Sequence, residues 1–122
     1  MSSLDVSTAN EQLQACIQEC VDCHRACLET AAYCLEQGGR HAEPDHLRLL
    51  FDCAEICQTS ANFMLRRSDL YPLICEVCAE ICAECADGCD AFEGDARLER
   101  CAEACRACAE RCQIMAEEEG VE

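Results

Sequence analysis

The sequence predicts an all-α protein that folds as an antiparallel, up-down-up-down four-helix bundle with a cysteine-lined core. Its 122 residues fit one domain, and we treat residues 1–122 as a single unit. Only five Gly and two Pro are present, which argues against an all-β fold with many turns. Residues of high helix propensity dominate four segments with short breaks between them, and short connections favour antiparallel neighbours.

The first predicted helix spans about residues 8–37. Thr8 and Glu11 match a capping box, in which two side chains satisfy backbone N–H groups at the start of a helix. Gly38 and Gly39 follow the last helical residue and supply the stop, because glycine adopts the left-handed conformation at little cost.

The other three helices are predicted over about residues 44–67, 72–90 and 96–117. Pro44 and Pro72 suit the first turns of the second and third helices, where the N–H group that proline lacks has no partner. Asp95 is the predicted N-cap of the fourth helix, since its carboxylate can accept hydrogen bonds from the first backbone N–H groups.

Sixteen residues are cysteine, which is far above ordinary usage. Within each helix they recur in steps of three or four, apart from a gap of seven before Cys34. This spacing is typical of the core-facing seam of a bundle helix, so thiols replace the usual Leu and Ile. The predicted metal ligands are Cys16, Cys20, Cys23, Cys27, Cys34, Cys53, Cys57, Cys75, Cys78, Cys82, Cys85, Cys89, Cys101, Cys105, Cys108 and Cys112.

Fourteen of these cysteines form seven CxxxC pairs, which leaves Cys34 and Cys75 without such a partner. Residues four apart on a helix have Cβ atoms about 5–6 Å apart. Small rotamer changes then give the sulfur separation of roughly 4.5 Å that a near-linear sulfur–metal–sulfur unit needs. A disulfide needs Cβ atoms about 3.8 Å apart and a specific dihedral angle, so the pairs favour metal binding.

The charge balance excludes two classes of partner. The net charge is −16 and all nine basic residues are Arg, whereas nucleic acid and anionic membranes both require a cationic surface. No run of 18 apolar residues is present, so no membrane span is predicted. The N-terminal residues lack the features of an export signal, and we therefore expect a cytoplasmic protein whose thiols stay reduced.

Thiolates are soft ligands that select Cu(I), zinc or iron–sulfur clusters. Sixteen thiolates around four Zn²⁺ ions would leave eight surplus negative charges in the core, and burying uncompensated charge is costly. A comparable number of monovalent ions brings the core close to neutrality, and each ion displaces about one thiol proton. The sequence therefore favours multiple Cu(I) ions per chain.

The CxxxCxxCxxxC run recurs in the first, third and fourth helices, and the fourth reads CAEACRACAERCQIM. In these motifs the chain resembles the cytosolic copper storage proteins of bacteria, a family of cysteine-rich four-helix bundles. The resemblance extends from about Leu13 to Met115. It implies high-capacity Cu(I) storage by the sixteen cysteines, in a protein that assembles as a homotetramer.

The resemblance also implies that His or Met near one open end of the bundle assists copper uptake. We expect this mouth at the end that holds the first and third connections, with His46 as the best ligand other than cysteine. His41 lies in the first connection and is a possible ancillary ligand. Met64 and Met115 lie on the seam at the opposite end, where they plug the core or act as weak thioether ligands.

Two other functions remain open on the sequence alone: an iron–sulfur electron-transfer protein and a metallothionein-like buffer for zinc or cadmium. An iron–sulfur cluster needs four thiolates that converge on one site, whereas CxxxC pairs suit two-coordinate ions better. No GxGxxG motif, P-loop or hydrolytic site is visible, and nothing distinguishes one thiol from the rest. We therefore expect no enzymatic activity.

Overall fold

The structure is a computed structural model that describes the backbone of residues 3–120 and the side chains of residues 9–117. It contains four α-helices and one short 3-10 helix, and no strand occurs in residues 3–120. These elements are α1 (Ser3–Gln37), the 3-10 helix (Gly39–Ala42), α2 (Pro44–Leu65), α3 (Tyr71–Asp90) and α4 (Ala96–Gly120). The all-α prediction is confirmed.

Each α-helix packs against two others, so that the four enclose one core. Helix α1 lies against α2 and α4, and α3 lies against the same two helices. The links between successive helices are only a few residues long, which makes sequence neighbours antiparallel. The predicted up-down-up-down arrangement is confirmed. None of the described helices combines the length and apolar character that crossing a membrane requires.

Helix α1 begins earlier than the sequence pattern predicts. It already includes Ser3, so Thr8 lies inside the helix and the predicted capping box at Thr8 and Glu11 is wrong. The residues just before Thr8 include neither Gly nor Pro, so nothing in the backbone stops the helix there. At the other end Gly38 has a φ of 70° and α1 stops at Gln37, as predicted.

Helix α2 ends at Leu65, two residues before the predicted boundary. Arg67 has a φ of 56°, in the left-handed region that glycine usually occupies at this position. The Ser68 N–H donates to the Phe63 carbonyl at 3.0 Å, and the Arg67 N–H donates to the Met64 carbonyl at 3.1 Å. These bonds form a Schellman motif, which the sequence does not reveal because arginine carries no signal for this conformation.

Asp95 caps helix α4, as the sequence predicts. Its Oδ1 accepts hydrogen bonds from the backbone N–H groups of Arg97 at 3.1 Å and Leu98 at 3.3 Å. Gly94 precedes it with a φ of 80°, which turns the chain from α3 toward α4. The cap also fixes the Asp95 carboxylate at the end of the bundle where α1 stops and α2 begins.

Candidate metal centre

All sixteen cysteines lie in the core between the four helices. Each is at most 1% exposed, and each is a free thiol rather than part of a disulfide. The predicted cysteine-lined core is therefore confirmed. Because the outer faces carry the charged residues, the sulfur atoms form an apolar interior without charged neighbours beside most of them.

The closest sulfur contacts join different helices. Cys20 Sγ on α1 lies 3.5 Å from Cys112 Sγ on α4, and Cys57 Sγ on α2 lies 3.5 Å from Cys82 Sγ on α3. Within α3, the Sγ atoms of the CxxxC pair Cys78 and Cys82 are 3.8 Å apart. Pairs within one helix, which the sequence favours, are therefore not the main arrangement of the sulfur atoms. The four seams face a common axis, so that most of the contacts between thiols cross from one helix to another.

Twelve of the cysteines form five groups in which all sulfur atoms lie within 4.8 Å of one another. The groups are Cys16, Cys75 and Cys112; Cys20, Cys78, Cys108 and Cys112; Cys57, Cys78, Cys82 and Cys108; Cys23, Cys53, Cys57 and Cys82; and Cys23, Cys27, Cys53 and Cys105. Each group shares one or two cysteines with the next in this order. The groups therefore form one continuous sulfur column rather than separate sites.

The remaining four cysteines belong to no group of this kind among the described residues. They are Cys34, Cys85, Cys89 and Cys101. All four lie toward the end of the bundle where α1 and α3 finish and α4 starts. The sulfur column is thus more crowded in one half than in the other.

One end of the column, which we call the histidine end, holds Cys34, His46 and Phe92. His46 Nε2 lies 3.5 Å from Cys34 Sγ, so the structure brings the predicted histidine against a thiol. The Phe92 ring centroid lies 4.7 Å from that of His46 and 4.6 Å from that of His41. Phe92 therefore separates the two imidazoles and fixes the ring of His46 beside Cys34.

His41 faces a carboxylate rather than a thiol. Its Nε2 donates to Asp95 Oδ2 at 2.9 Å, and the Tyr33 hydroxyl donates to the same oxygen at 3.0 Å. The neighbouring Arg40 donates to the Ala91 carbonyl at 2.7 Å. These bonds hold the 3-10 helix across the histidine end. They also leave the His41 imidazole paired with Asp95, away from the cysteine sulfurs.

The surroundings at the histidine end favour the neutral forms of Cys34 and His46. Burial raises the pKa of the Cys34 thiol to about 11, and the negative charges of Asp95 and Cys101 add to the effect. Burial, together with the nearby His41, lowers the pKa of His46. At neutral pH the uncharged imidazole is therefore favoured, which is the form that binds metal ions. The Cys34 thiol must release its proton before its sulfur binds a metal ion.

The thiols of the column differ in how readily they carry a negative charge. Hydrogen bonds with neighbouring thiols, followed by burial, raise the pKa of Cys16, Cys27 and Cys108. Hydrogen bonds from neighbouring thiols lower the pKa of Cys23 and Cys112. An isolated buried thiolate is costly because water no longer solvates it. Thiolates in this interior therefore need cations beside them to balance their charge.

The opposite end of the column, which we call the methionine end, holds Met64, Cys75 and Met115. Met64 is fully buried and Met115 is 4% exposed. Cys75 Sγ donates to Met64 Sδ at 3.8 Å, and Ser60 Oγ lies 3.5 Å from Cys75 Sγ. The sequence left the role of both methionines open, and the structure places the Met64 sulfur against a thiol.

A continuous column of buried thiols can bind soft cations at many positions, since the sulfurs of twelve cysteines already lie within 4.8 Å of at least two others. Soft thiolate ligands select Cu(I), zinc or iron–sulfur clusters. The fold and the column thus define a metal-binding helical bundle that holds its ions within the core.

A family model described as copper storage protein matches residues 9–117, and the chain belongs to this family. It is 53% identical to the Nmul_A1745 protein of Nitrosospira multiformis, whose crystal structure superposes with a TM-score of 0.85. That match covers 89% of this chain and 98% of the other.

Two further solved structures are similar in fold and carry copper. The Cu(I)-bound copper storage protein BsCsp3 of Bacillus subtilis is 37% identical, with a TM-score of 0.80 over 86% of this chain and 98% of that one. A cytosolic copper storage protein of Streptomyces lividans with five coppers is 30% identical. Its TM-score is 0.79, and the match covers 91% of this chain and 97% of that one. Another structure of the Streptomyces lividans protein was loaded with ten copper equivalents.

Family membership and the cysteine-rich core together make this chain a copper storage protein with Cu(I) as its cargo. The predicted function of Cu(I) storage is therefore confirmed. The iron–sulfur and zinc or cadmium alternatives are not favoured, because the family and its copper-loaded structures have the same bundle.

Proposed function

We propose that the chain stores multiple Cu(I) ions along the sulfur column, with the sixteen cysteines as ligands and His46 as a further ligand. The main support for this proposal is that neighbouring sulfur groups share cysteines. Cys78 and Cys108 belong to two groups, as do Cys57 and Cys82. A sulfur that belongs to two groups can bridge two ions, so the column favours many linked ions over a few isolated ones.

The sulfur separations support this assignment. Two sulfurs bound to one metal at about 2.3 Å each lie roughly 4 Å apart in trigonal coordination and about 4.6 Å apart in linear coordination. The sulfur pair Cys53 and Cys82 is 3.6 Å apart, and the pair Cys16 and Cys112 is 3.7 Å apart. Small rotamer changes are therefore enough to admit Cu(I) between them.

Charge compensation also supports storage of a monovalent ion. Each Cu(I) that binds a thiolate replaces the proton of the neutral thiol, so the interior keeps nearly the same charge. Released protons go to solvent, and affinity falls at acidic pH because protons compete with the metal for sulfur.

We propose that copper passes through the histidine end. His46 offers a neutral imidazole beside Cys34, and it precedes the first crowded sulfur group along the column. His41 could act as an ancillary ligand only after its Nε2 leaves Asp95 Oδ2. At the methionine end Met115 is buried and serves to close the core.

We propose further that the protein is a cytoplasmic homotetramer without enzymatic activity, and that it binds neither nucleic acid nor membrane. A cytosolic relative and the net charge of −16 support this placement. Leu28 and Leu35 on α1, with Leu73 and Val77 on α3, are exposed apolar side chains that support contacts between copies. Light scattering should give the mass of four chains, and the mass of one chain would contradict the tetramer.

Anaerobic titration of the reduced protein with Cu(I), followed by elemental analysis, tests the proposed storage. We expect well over four tightly bound Cu(I) ions per chain, held against a competing chelator. Saturation at one or two ions would contradict storage along the column. Displacement of the bound Cu(I) by zinc would favour a metallothionein-like buffer instead.

A further inference from the structure

Two cysteines stand apart from the CxxxC pattern, and they lie at opposite ends of the column. Position 34 has Thr30 and Gly38 four residues away, and position 75 has Tyr71 and Ala79. Each of these two thiols faces a different soft donor. Cys34 Sγ lies 3.5 Å from His46 Nε2, and Cys75 Sγ lies 3.8 Å from Met64 Sδ.

The Met64 sulfur is fixed in place by its surroundings. Its side chain is fully buried, in the last turn of α2. The Cys75 thiol donates its proton toward the thioether, and Ser60 Oγ lies 3.5 Å from the same Cys75 sulfur. The thioether sulfur is therefore oriented toward the column rather than toward the outer face of the bundle.

Cys75 also belongs to a group of three mutually close thiols. Cys16, Cys75 and Cys112 have their sulfurs within 4.8 Å of one another, and the Sγ atoms of Cys16 and Cys112 are 3.7 Å apart. This is the only one of the five groups with three sulfurs rather than four, among the described residues. Met64 Sδ lies beside this group, 3.8 Å from Cys75 Sγ.

We propose that Met64 is a copper ligand, and that its thioether joins Cys75, Cys16 and Cys112 in a terminal Cu(I) site at the methionine end. The inference rests on the proposed storage function and adds one ligand and one site to it. Two sulfurs that share one metal in trigonal geometry lie roughly 4 Å apart, close to the contact between Met64 and Cys75.

The binding step balances without a redox partner. The Cys75 S–H bond breaks, its proton leaves to the buffer, and a bond forms between Cu(I) and the Cys75 thiolate. Cys16 donates a sulfur lone pair as a neutral thiol. Cys112 also belongs to the next group, and it loses its proton to the buffer against the charge of the Cu(I) bound there. The Met64 thioether has no proton to lose and donates a sulfur lone pair to the same ion. Thioethers are soft ligands suited to Cu(I), and a neutral donor adds no charge to the buried end of the column.

A purely apolar plug would behave differently, because leucine fills a similar volume without a sulfur. Selenomethionine makes the difference measurable. The chain has three methionines, so selenium labelling gives three reporters of the atoms bonded to each thioether position. X-ray absorption at the selenium edge of the Cu(I)-loaded protein then detects copper bonded to selenium.

We expect a copper neighbour for about one selenium in three in the loaded wild-type protein, and none before loading. The signal should vanish in Met64→Leu and persist in Met115→Leu, which is the matched control from the same end. Met64→Leu should also hold about one Cu(I) fewer, with the rest of the capacity unchanged.

A loaded wild-type protein without copper bonded to selenium would overturn the inference, whether or not the Met64 variant folds. A signal that survives Met64→Leu undiminished would also overturn it. Either result at high copper content leaves storage intact, whereas a protein that binds only one or two ions contradicts the proposed function itself.

Discussion

The two ends of the sulfur column provide different donors from the same helical seam. At the methionine end, Cys75 meets a thioether and lies within a group of three mutually close thiols. At the histidine end, Cys34 meets an imidazole and belongs to no such group among the described residues. Crowded sulfurs suit shared, tightly held ions, while a neutral imidazole beside a single thiol suits an ion in transit. We therefore propose that the methionine end retains copper and that the histidine end passes it.

The largest expected effect comes from the crowded half of the column. The double variant Cys78→Ser/Cys108→Ser removes two sulfurs from each of two four-sulfur groups. We expect the Cu(I) capacity to fall by roughly a quarter or more, because bridged ions lose ligands together. Anaerobic titration with elemental analysis measures the loss.

The matched control for that variant is Cys34→Ser, which alters a thiol outside the five groups. It should cost about one ion at most. Equal losses in the two proteins would show that the column is not divided into crowded and sparse halves.

The second effect concerns the rate of copper uptake. His46→Ala removes the imidazole beside Cys34, and we expect Cu(I) transfer from a chelated donor to slow several-fold. Met64→Leu, at the other end, should leave the rate of uptake unchanged. Stopped-flow measurement of transfer compares the two. Faster or unaltered uptake in His46→Ala, with slowing in Met64→Leu, would place the mouth at the methionine end.

A smaller effect is expected on the stability of the copper-free bundle. Asp95→Ala removes the cap of α4 and the acceptor for His41 and Tyr33. We expect a loss of about 1–2 kcal/mol in the free energy of unfolding, as for other N-caps. Denaturant unfolding under reducing conditions measures it.

Asp69→Ala is the control for this change, since Asp69 is an exposed residue of the link between α2 and α3. Its effect should stay within about 0.5 kcal/mol. A similar loss of unfolding free energy in both variants would contradict a special role of Asp95 in stabilising the histidine end.

The smallest effect is a dependence of stability on pH. The pKa of Cys34 is raised from its ordinary value of 9.0 to about 11 in the folded protein. The folded state therefore keeps a proton that the unfolded chain releases, so stability should decline as the pH rises from 9 toward 11. Unfolding of the copper-free, reduced protein across this range measures the slope. Cys34→Ser should flatten it, and an unchanged slope would assign the effect to other thiols.

The sequence predicts the fold and the lining of the core well because both depend on local periodicity. Cysteines in steps of three and four, with Pro44 and Pro72 at helix starts, are enough to place sulfur on four inward seams. Asp95 as the N-cap is likewise a local signal.

The errors arise where no local signal exists or where several helices meet. Arg67 adopts a left-handed backbone conformation that its residue type does not predict. Thr8 matches the residue type of an N-cap, although α1 begins before it and continues through it. The contact of His41 with Asp95 spans 54 positions of the chain, so its partner emerges only after the helices pack. The same holds for the sulfur contacts between helices and for Met64 against Cys75.

We propose that Cu(I) fills one sulfur column from Cys34 to Cys75. Diffraction from crystals of the Cu(I)-loaded protein, measured on both sides of the copper absorption edge, locates every ion directly. We expect a continuous row of anomalous peaks along the bundle axis, each bonded to cysteine sulfur, with the terminal peaks beside His46 and Met64. Copper bound on the outer faces, or confined to one isolated site within the core, would contradict storage along the sulfur column.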